Sequence, residues 1–319
     1  MNRCWIADAS GAVHPTEAKD AVAAAARGEL AWIDLEGENE TDRTVSELLA
    51  PLAIHPLVID DMVAEVNRPK VDLYGDRIYI VLHSARWEQE RPSIGELDIV
   101  LGMNFLITYH EQPTRSITAA QETLARRPAL LTDGPVHLLH SILDVLVDNY
   151  LPIMERLGTE VDELEDCVFD PRQMTAHERI LRLKRGMSAL RRIIGPQRDT
   201  VLALTRDEFA PIPAAMRPYL RDVYDRLARV HDLLDSYRDE IATVLEMNVA
   251  MASNRLNEVI KRLTVLATVG LPLTVVTGYF GMNFEFGEYK IHHPHVFALG
   301  VLALSGLLTF AYLRYRRWD

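Results

Sequence analysis

Asn283 carries a neutral carboxamide whose oxygen accepts hydrogen bonds, and it closes Tyr279-Phe280-Gly281-Met282-Asn283, a segment entering the short polar gap between two uncharged apolar stretches. A neutral acceptor placed there suits the polarised water on a cation better than it suits covalent chemistry. Counting back from Gly281 in sevens gives Thr274, Ala267, Ile260, Ser253, Glu246, Asp239, Asp232 and Asp225, a stripe that is small or weakly polar in its last part and acidic in its first. Gly281 permits close approach or an unusual backbone angle at a helix end, and Met282 is assigned to packing. His292, His293 and His295 follow the gap. No enzyme constellation accompanies these residues. The first 130 or so contain no phosphate-binding Gly-rich loop, no His-Glu-x-x-His and no nucleophile elbow, and His110-Glu111 lacks a second histidine.

The elements that must position this chemistry are helices. Leu263 to Phe280 and Val296 to Leu313 are each 18 residues without a charge, enough to cross a hydrocarbon core of about 30 Å. Lys261 and Arg262 precede the pair, and Arg314, Arg316 and Arg317 follow it, while the loop between carries Lys290 against Glu285 and Glu288. The positive-inside rule then puts both termini in the cytoplasm and the loop outside. Upstream, no glycine or proline interrupts the chain from Pro218 to Gly270. One helix of about 60 residues and roughly 90 Å is therefore expected to run into the membrane. Such a helix needs partners along its length, and copies of itself are the natural ones. A second seam, Asn257, Thr264, Leu271 and Gly278, is also largely small or polar, while Leu263, Leu266, Val269, Leu273 and Val276 form a lipid or packing face. Small residues let helices approach closely, and polar ones touch permeating water and ions. A ring of helices around an axial pore satisfies both. Below Glu246, the acids fit the solvated face of a coiled helix equally well.

The remainder reads as a soluble body. No apolar run long enough for a signal peptide lies within Met1 to Asp20. The two cysteines, Cys4 and Cys167, stand in no metal-ligand spacing and suit a reducing cytosol. With 34 basic and 46 acidic residues the net charge is -12, which disfavours a nucleic-acid partner and suits the collection of cations. Up to about residue 132, strand-like runs at 30–35, 77–82 and 105–109 alternate with helix-like runs such as 18–27 and 43–50, which predicts an α/β domain with a central sheet, an α/β/α sandwich. From Val136 the period turns helical through Leu139, Ile142, Leu143, Leu146 and Tyr150, with Gly158 and Pro171 as expected irregularities or ends. A second helix through Ile180, Leu183, Leu190 and Ile194 is expected to close at Gly195-Pro196 and to pair antiparallel with the first. The expected organisation is a sandwich over 1–132, a helical pair over 133–210, a stalk helix over 211–262, a first span over 263–280, an external loop over 281–295, a second span over 296–313 and a basic tail over 314–319.

Asn257-Glu258-Val259-Ile260-Lys261-Arg262-Leu263-Thr264, running through Leu271-Pro272-Leu273-Thr274 to Gly281-Met282-Asn283-Phe284-Glu285, resembles the pore helix and Gly-Met-Asn motif of the CorA family of magnesium and cobalt transporters. The likeness extends to Trp32-Ile33-Asp34-Leu35, His55-Pro56-Leu57, Arg68-Pro69-Lys70-Val71, the segment from Asp144 to Tyr150, and Arg316-Arg317-Trp318. Gly102-Met103-Asn104, ahead of a strand, is read as accidental. The resemblance implies a homopentameric funnel in a bacterial inner membrane that admits Mg2+, and also Co2+, without an organic cofactor. It implies selectivity at Gly281, Met282 and Asn283, polar pore rings at Asn257 and Thr274, a hydrophobic constriction at Ile260, Leu263 and Leu271, and an acidic inner mouth at Glu246. It further implies regulatory Mg2+ held between subunits by Asp60, Asp61 and Asp222. Mg2+ keeps its waters, so a ring of Asn283 oxygens that hydrogen-bonds the hydration shell is a cheaper selector than a cage that strips it.

The external loop departs from the family pattern. Phe286-Gly287-Glu288-Tyr289 replaces a Met-Pro-Glu-Leu segment, so Glu285 matches an acid of the family loop while Glu288 is displaced; both are expected to attract cations. The three loop histidines would suit zinc, cobalt or nickel, or sit as interfacial residues. Asp60 and Asp61 also fit helix N-terminal charge after His55-Pro56. A zinc or other transition-metal transporter, proton-coupled or not, and a membrane-anchored sensor or scaffold are the alternatives.

Overall fold

The computed structural model describes residues 3–8, 10–37, 42–63, 67–88, 91–169, 176–206, 208–281 and 294–315. Runs rich in β-branched and aromatic residues form a seven-stranded sheet: β1 Arg3–Ala7, β2 Val13–Thr16, β3 Leu30–Glu36, β4 Lys70–Tyr74, β5 Arg77–Glu88, β6 Arg91–Leu101 and β7 Phe105–His110. The order is β2-β1-β3-β7-β6-β5-β4, with β3 and β7 parallel and all other pairs antiparallel. Successive side chains point to opposite faces. Ile33, Leu35, Tyr79, Val81, Val100 and Ile107 enter one core with α1 (Ala18–Ala26), α2 (Asp42–Leu49) and α3 (Pro56–Val63). The opposite face meets α4 (Arg115–Arg126), α5 (Ala129–Thr132) and α6 (Pro135–Asp148). There Trp32 Nε1 donates to Thr108 Oγ1 at 3.0 Å, and Gln121 of α4 reaches Asp34 at 2.8 Å. Helices on both faces of one mixed sheet make the α/β/α sandwich expected.

The helical region differs from its sequence reading in three places. The first helix expected from Val136 is two, α6 and α7 (Leu151–Phe169), which meet at Asn149-Tyr150; the expected face of Leu139, Ile142, Leu143, Leu146 and Tyr150 is buried. Gly158 breaks nothing. It lies inside α7, where a β-carbon would come within 2.8 Å of the Tyr237 hydroxyl, so its role is close approach. The following helix, α8 (Ala176–Ala203), does not stop at Gly195-Pro196 but runs through it. Proline removes one hydrogen bond from a helix interior, yet buried Gln197, Thr200 and Val201 hold the next turns, and Thr200 Oγ1 donates back to the Pro196 carbonyl at 3.0 Å. Arg179 of α8 bridges to Glu160 and Glu163 of α7 at 3.1 Å each, the charge match expected of a helical pair.

The second Gly-Met-Asn has a structural role. Gly102 N donates to Phe105 O at 2.9 Å, turning β6 into β7, and the Asn104 amide donates to Ala25 and Glu29 carbonyls at 2.8 and 2.9 Å, tying down the end of α1.

After a 3-10 turn, α9 spans Arg217–Phe280 without a break. Pro218 is its second residue, where a missing N–H costs nothing. By internal contacts the chain forms two compact units, Met1–Leu245 and Glu246–Asp319, and α9 passes from the first to the second. In the first unit it buries Leu220, Val223, Leu227, Val230, Leu234, Ile241 and Val244, the three- and four-residue spacing of one helical face. In the second unit it is joined by α10 (Pro294–Tyr315). Both helices are long and apolar enough to cross a bilayer, and their most apolar windows are 0 % and 6 % buried in the protein. Apolar surface of that extent is left for lipid or another chain.

Candidate ion pathway

Within the second unit, α10 covers one side of α9 and leaves the other open. Val265, Thr268, Val269, Pro272, Leu273 and Val276 are partly covered; Gly306 of α10 faces the Leu273 side chain, and the Phe280 and Phe297 rings meet edge to face at 6.2 Å. At 3.6 residues per turn, Pro272 and Val276 lie roughly 160° around the helix from Thr274. Ile260, Leu263, Ala267, Leu271, Thr274, Gly278 and Gly281 occupy the open side and are exposed, as are Glu246, Ser253 and Asn257 closer to the first unit. Thr274, Gly278 and Gly281 thus lie on the exposed side together with the large apolar Leu266, Leu271 and Val275, while Thr264 is partly covered.

The threonines on this segment spend their hydrogens locally. Thr264 donates to Ile260 O, and Thr274 to Gly270 O, each at 2.8 Å. With its proton committed, the Thr274 oxygen offers lone pairs on the open side, matched to a cation's water shell. Gly281 does not take a left-handed angle; its N–H donates to Thr277 O at 2.9 Å, and a β-carbon would sit 3.2 Å from that same oxygen. Met282, Asn283, Glu285, Glu288, His292 and His293 lie outside the described residues, as does the side chain of His295.

In the first unit, Asp61 and Asp222, of the acids expected at an ion site, each have a cationic neighbour among the described residues. Asp60 is exposed on α3. Half-buried Asp61 pairs with Lys70, which also lies 3.4 Å from Asp72, and the Asp61 carbonyl accepts from Asn67 at 2.7 Å. Burial works against the charge on Lys70, but hydrogen bonding and attraction from Asp61 and Asp72 prevail and its pKa rises. Asp222 on α9 lies 3.3 Å from Arg226 Nε. Arg226 in turn grips Asp144 and Asp148 of α6, the latter at 2.7 Å. Among the described residues no group of three or more His, Cys, Asp or Glu side chains forms a metal cage within one copy. Lys70 and Arg226 were not singled out from the sequence; the four-residue step from Asp222 to Arg226 was the available signal.

A sheet domain feeding one long helix whose apolar end, like the one apolar helix that follows it, is exposed enough for lipid defines a membrane protein built around a long helix. The description of the family model matched by residues 27–316 is CorA-like Mg2+ transporter protein. The chain is 30 % identical over 293 residues to the cobalt/magnesium transport protein CorA of Thermotoga maritima, covering 90 % of this chain and 83 % of that one. It is 25 % identical to the zinc transport protein ZntB of Klebsiella pneumoniae, covering 88 % and 84 %. Its fold matches the complete structure of the CorA magnesium transporter from Methanocaldococcus jannaschii with a TM-score of 0.84, 18 % identity and coverage of 100 % and 99 %. The chain belongs to the CorA-like family and is a divalent cation transporter, in a family of membrane transporters rather than enzymes.

Proposed function

We propose that five copies form a ring in a bacterial inner membrane, with both termini cytoplasmic, and that α9 lines a Mg2+ channel that also passes Co2+. The observation carrying this reading is the open face of α9, where Ile260, Leu271, Thr274 and Gly281 lie opposite the side held by α10. A neighbouring copy must cover that face, and a polar axis is what it would enclose. Asn283 at the mouth would select by its carboxamide oxygen, with Glu285 and Glu288 attracting cations from outside. Asn257 and Thr274 would form polar rings, Ile260, Leu263 and Leu271 a constriction that gates by dewetting, and Glu246 the inner mouth. The membrane potential contributes roughly 4.6 kcal/mol per divalent ion at 100 mV.

Carboxylate oxygens suit Mg2+, and Asp60 and Asp61 of one copy with Asp222 of the next would hold a regulatory ion. It supplies positive charge between acids that otherwise repel. A second reading, zinc or another transition metal, draws on His292, His293 and His295 in the loop sequence and on the zinc transporter among the relatives.

The test is purified protein in liposomes loaded with a magnesium dye, at a set potential, with Co2+ and Zn2+ as competitors and a proton gradient as a variable. The expected result is potential-driven Mg2+ entry, indifferent to the proton gradient and reduced about tenfold or more by Asn283→Leu. Zn2+ entry in place of Mg2+ establishes the second reading; undiminished entry in the variant removes Asn283 from the filter.

A further inference from the structure

Arg226 is placed to do more than join two helices. It lies on α9 one turn after Asp222, is only 19 % exposed, and sits among three carboxylates: Asp144 and Asp148 of α6 and Asp222 of its own helix. Its two terminal nitrogens are bound to the α6 acids. Its Nε faces Asp222 at 3.3 Å, is buried, and makes no hydrogen bond. Burial disfavours charge on the guanidinium, but the three acids outweigh it and it stays protonated. Asp222 itself keeps 70 % of its side chain exposed. The arginine thus approaches Asp222 from behind while the outward carboxylate surface stays open to a ligand.

The charges decide what this does. Three carboxylates and one guanidinium leave two negative charges; without the guanidinium there would be three. A dication taken up by the open side of Asp222 would lie within several ångströms of a fixed positive charge, and like charges at that range repel appreciably even at surface dielectric and moderate salt. We infer that Arg226 is a tethered cation that weakens Mg2+ binding at Asp222 and so raises the cytosolic Mg2+ concentration at which the channel is held shut. This rests on the regulatory role proposed above for Asp61 and Asp222. It assigns the chain's own threshold to a residue that touches no ion.

The test is limited proteolysis by chymotrypsin of the full-length protein in lipid nanodiscs, titrated with Mg2+ at low ionic strength, with melting temperatures measured alongside. Arg226→Gln should give protection at a Mg2+ concentration at least about fivefold lower than the parent, and added salt should shrink the difference. Arg226→Lys, which keeps the charge, should stay within about twofold. Asp148→Asn, at an exposed position, leaves the guanidinium less neutralised and should move the midpoint upward. A role confined to joining α6 and α9 predicts a lower melting temperature for Arg226→Gln with an unmoved midpoint; that result, or a midpoint unchanged or lowered in Asp148→Asn, overturns the inference. Asp222→Ala separates this from the underlying reading. Loss of protection in Asp222→Ala with no shift in Arg226→Gln defeats the inference alone, whereas undiminished protection in Asp222→Ala defeats the regulatory reading and the inference with it.

Discussion

His83 of β5 is 1 % exposed, neither ring nitrogen has a hydrogen-bond partner, and its Nε2 lies 3.8 Å from Glu96 Oε2 across the strand pair. Burial lowers its pKa to about 4. A histidine depressed in the folded state adds its full stability above the unfolded value of about 6.5, and that contribution is lost as pH falls through the folded value. The loss at pH 4 is about 3 kcal/mol. His83→Leu should therefore cost little near pH 8 and flatten the acid limb of a melting-temperature profile between pH 6.5 and 4, beyond any change from Glu96, whose own pKa burial raises. Identical slopes in the two proteins would remove His83 from the acid response. The acids on α3 and α9 were legible as candidates only through the family resemblance, since the chain carries 46 Asp and Glu residues. Of their cationic partners, Arg226 was signalled only by its four-residue step from Asp222, and its grip on Asp144 and Asp148, 82 and 78 residues away, has no local pattern to encode it.

At the scale of elements, Gln197 joins three. Its Oε1 accepts from His83 N at 2.7 Å and its Nε2 donates to the Tyr150 hydroxyl at 3.3 Å, while that hydroxyl donates to His83 O at 2.7 Å. β5, the α6–α7 junction and the turn of α8 just past Pro196 are thereby held together. Leucine at 197 strips a buried backbone N–H of its acceptor, which costs about 2 kcal/mol, and Tyr150→Phe leaves that N–H bonded and costs about 1 kcal/mol. Urea unfolding should give that order; a larger loss for Tyr150→Phe would mean that the hydroxyl, and not the amide, anchors the network. This junction was misread from the sequence because Gly195-Pro196 is a strong stop signal locally, and only burial of the residues after it overrides the signal. α9 was legible in full, since nothing between Pro218 and Gly270 could break it. β6 was not, because Pro92 and Gly95 interrupt it and buried Asp98 disrupts the apolar alternation. Asp98 is retained in the interior by a 2.6 Å hydrogen bond from the Tyr79 hydroxyl.

At the scale of the whole molecule, a family resemblance carried by a few segments agrees with a family match over residues 27–316 and with a fold match over the full chain. The two apolar helices were legible from hydropathy alone, and within one copy their most apolar windows are left almost wholly unburied. What one copy adds to the sequence is the assignment of faces: α10 selects which side of α9 packs within the chain, and so which side remains open. The central claim is that this remaining side is the wall of the conduit. It is tested most directly by Mg2+ flux into liposomes after treatment with a membrane-impermeant cationic thiol reagent, in proteins whose Cys4 and Cys167 are replaced and which carry either Thr274→Cys or Val276→Cys. The account predicts that the reagent cuts flux about tenfold or more through Thr274→Cys, where a ring of new positive charges would face the ions, and leaves Val276→Cys conducting. Undiminished flux through modified Thr274→Cys, or block at Val276→Cys alone, would contradict it.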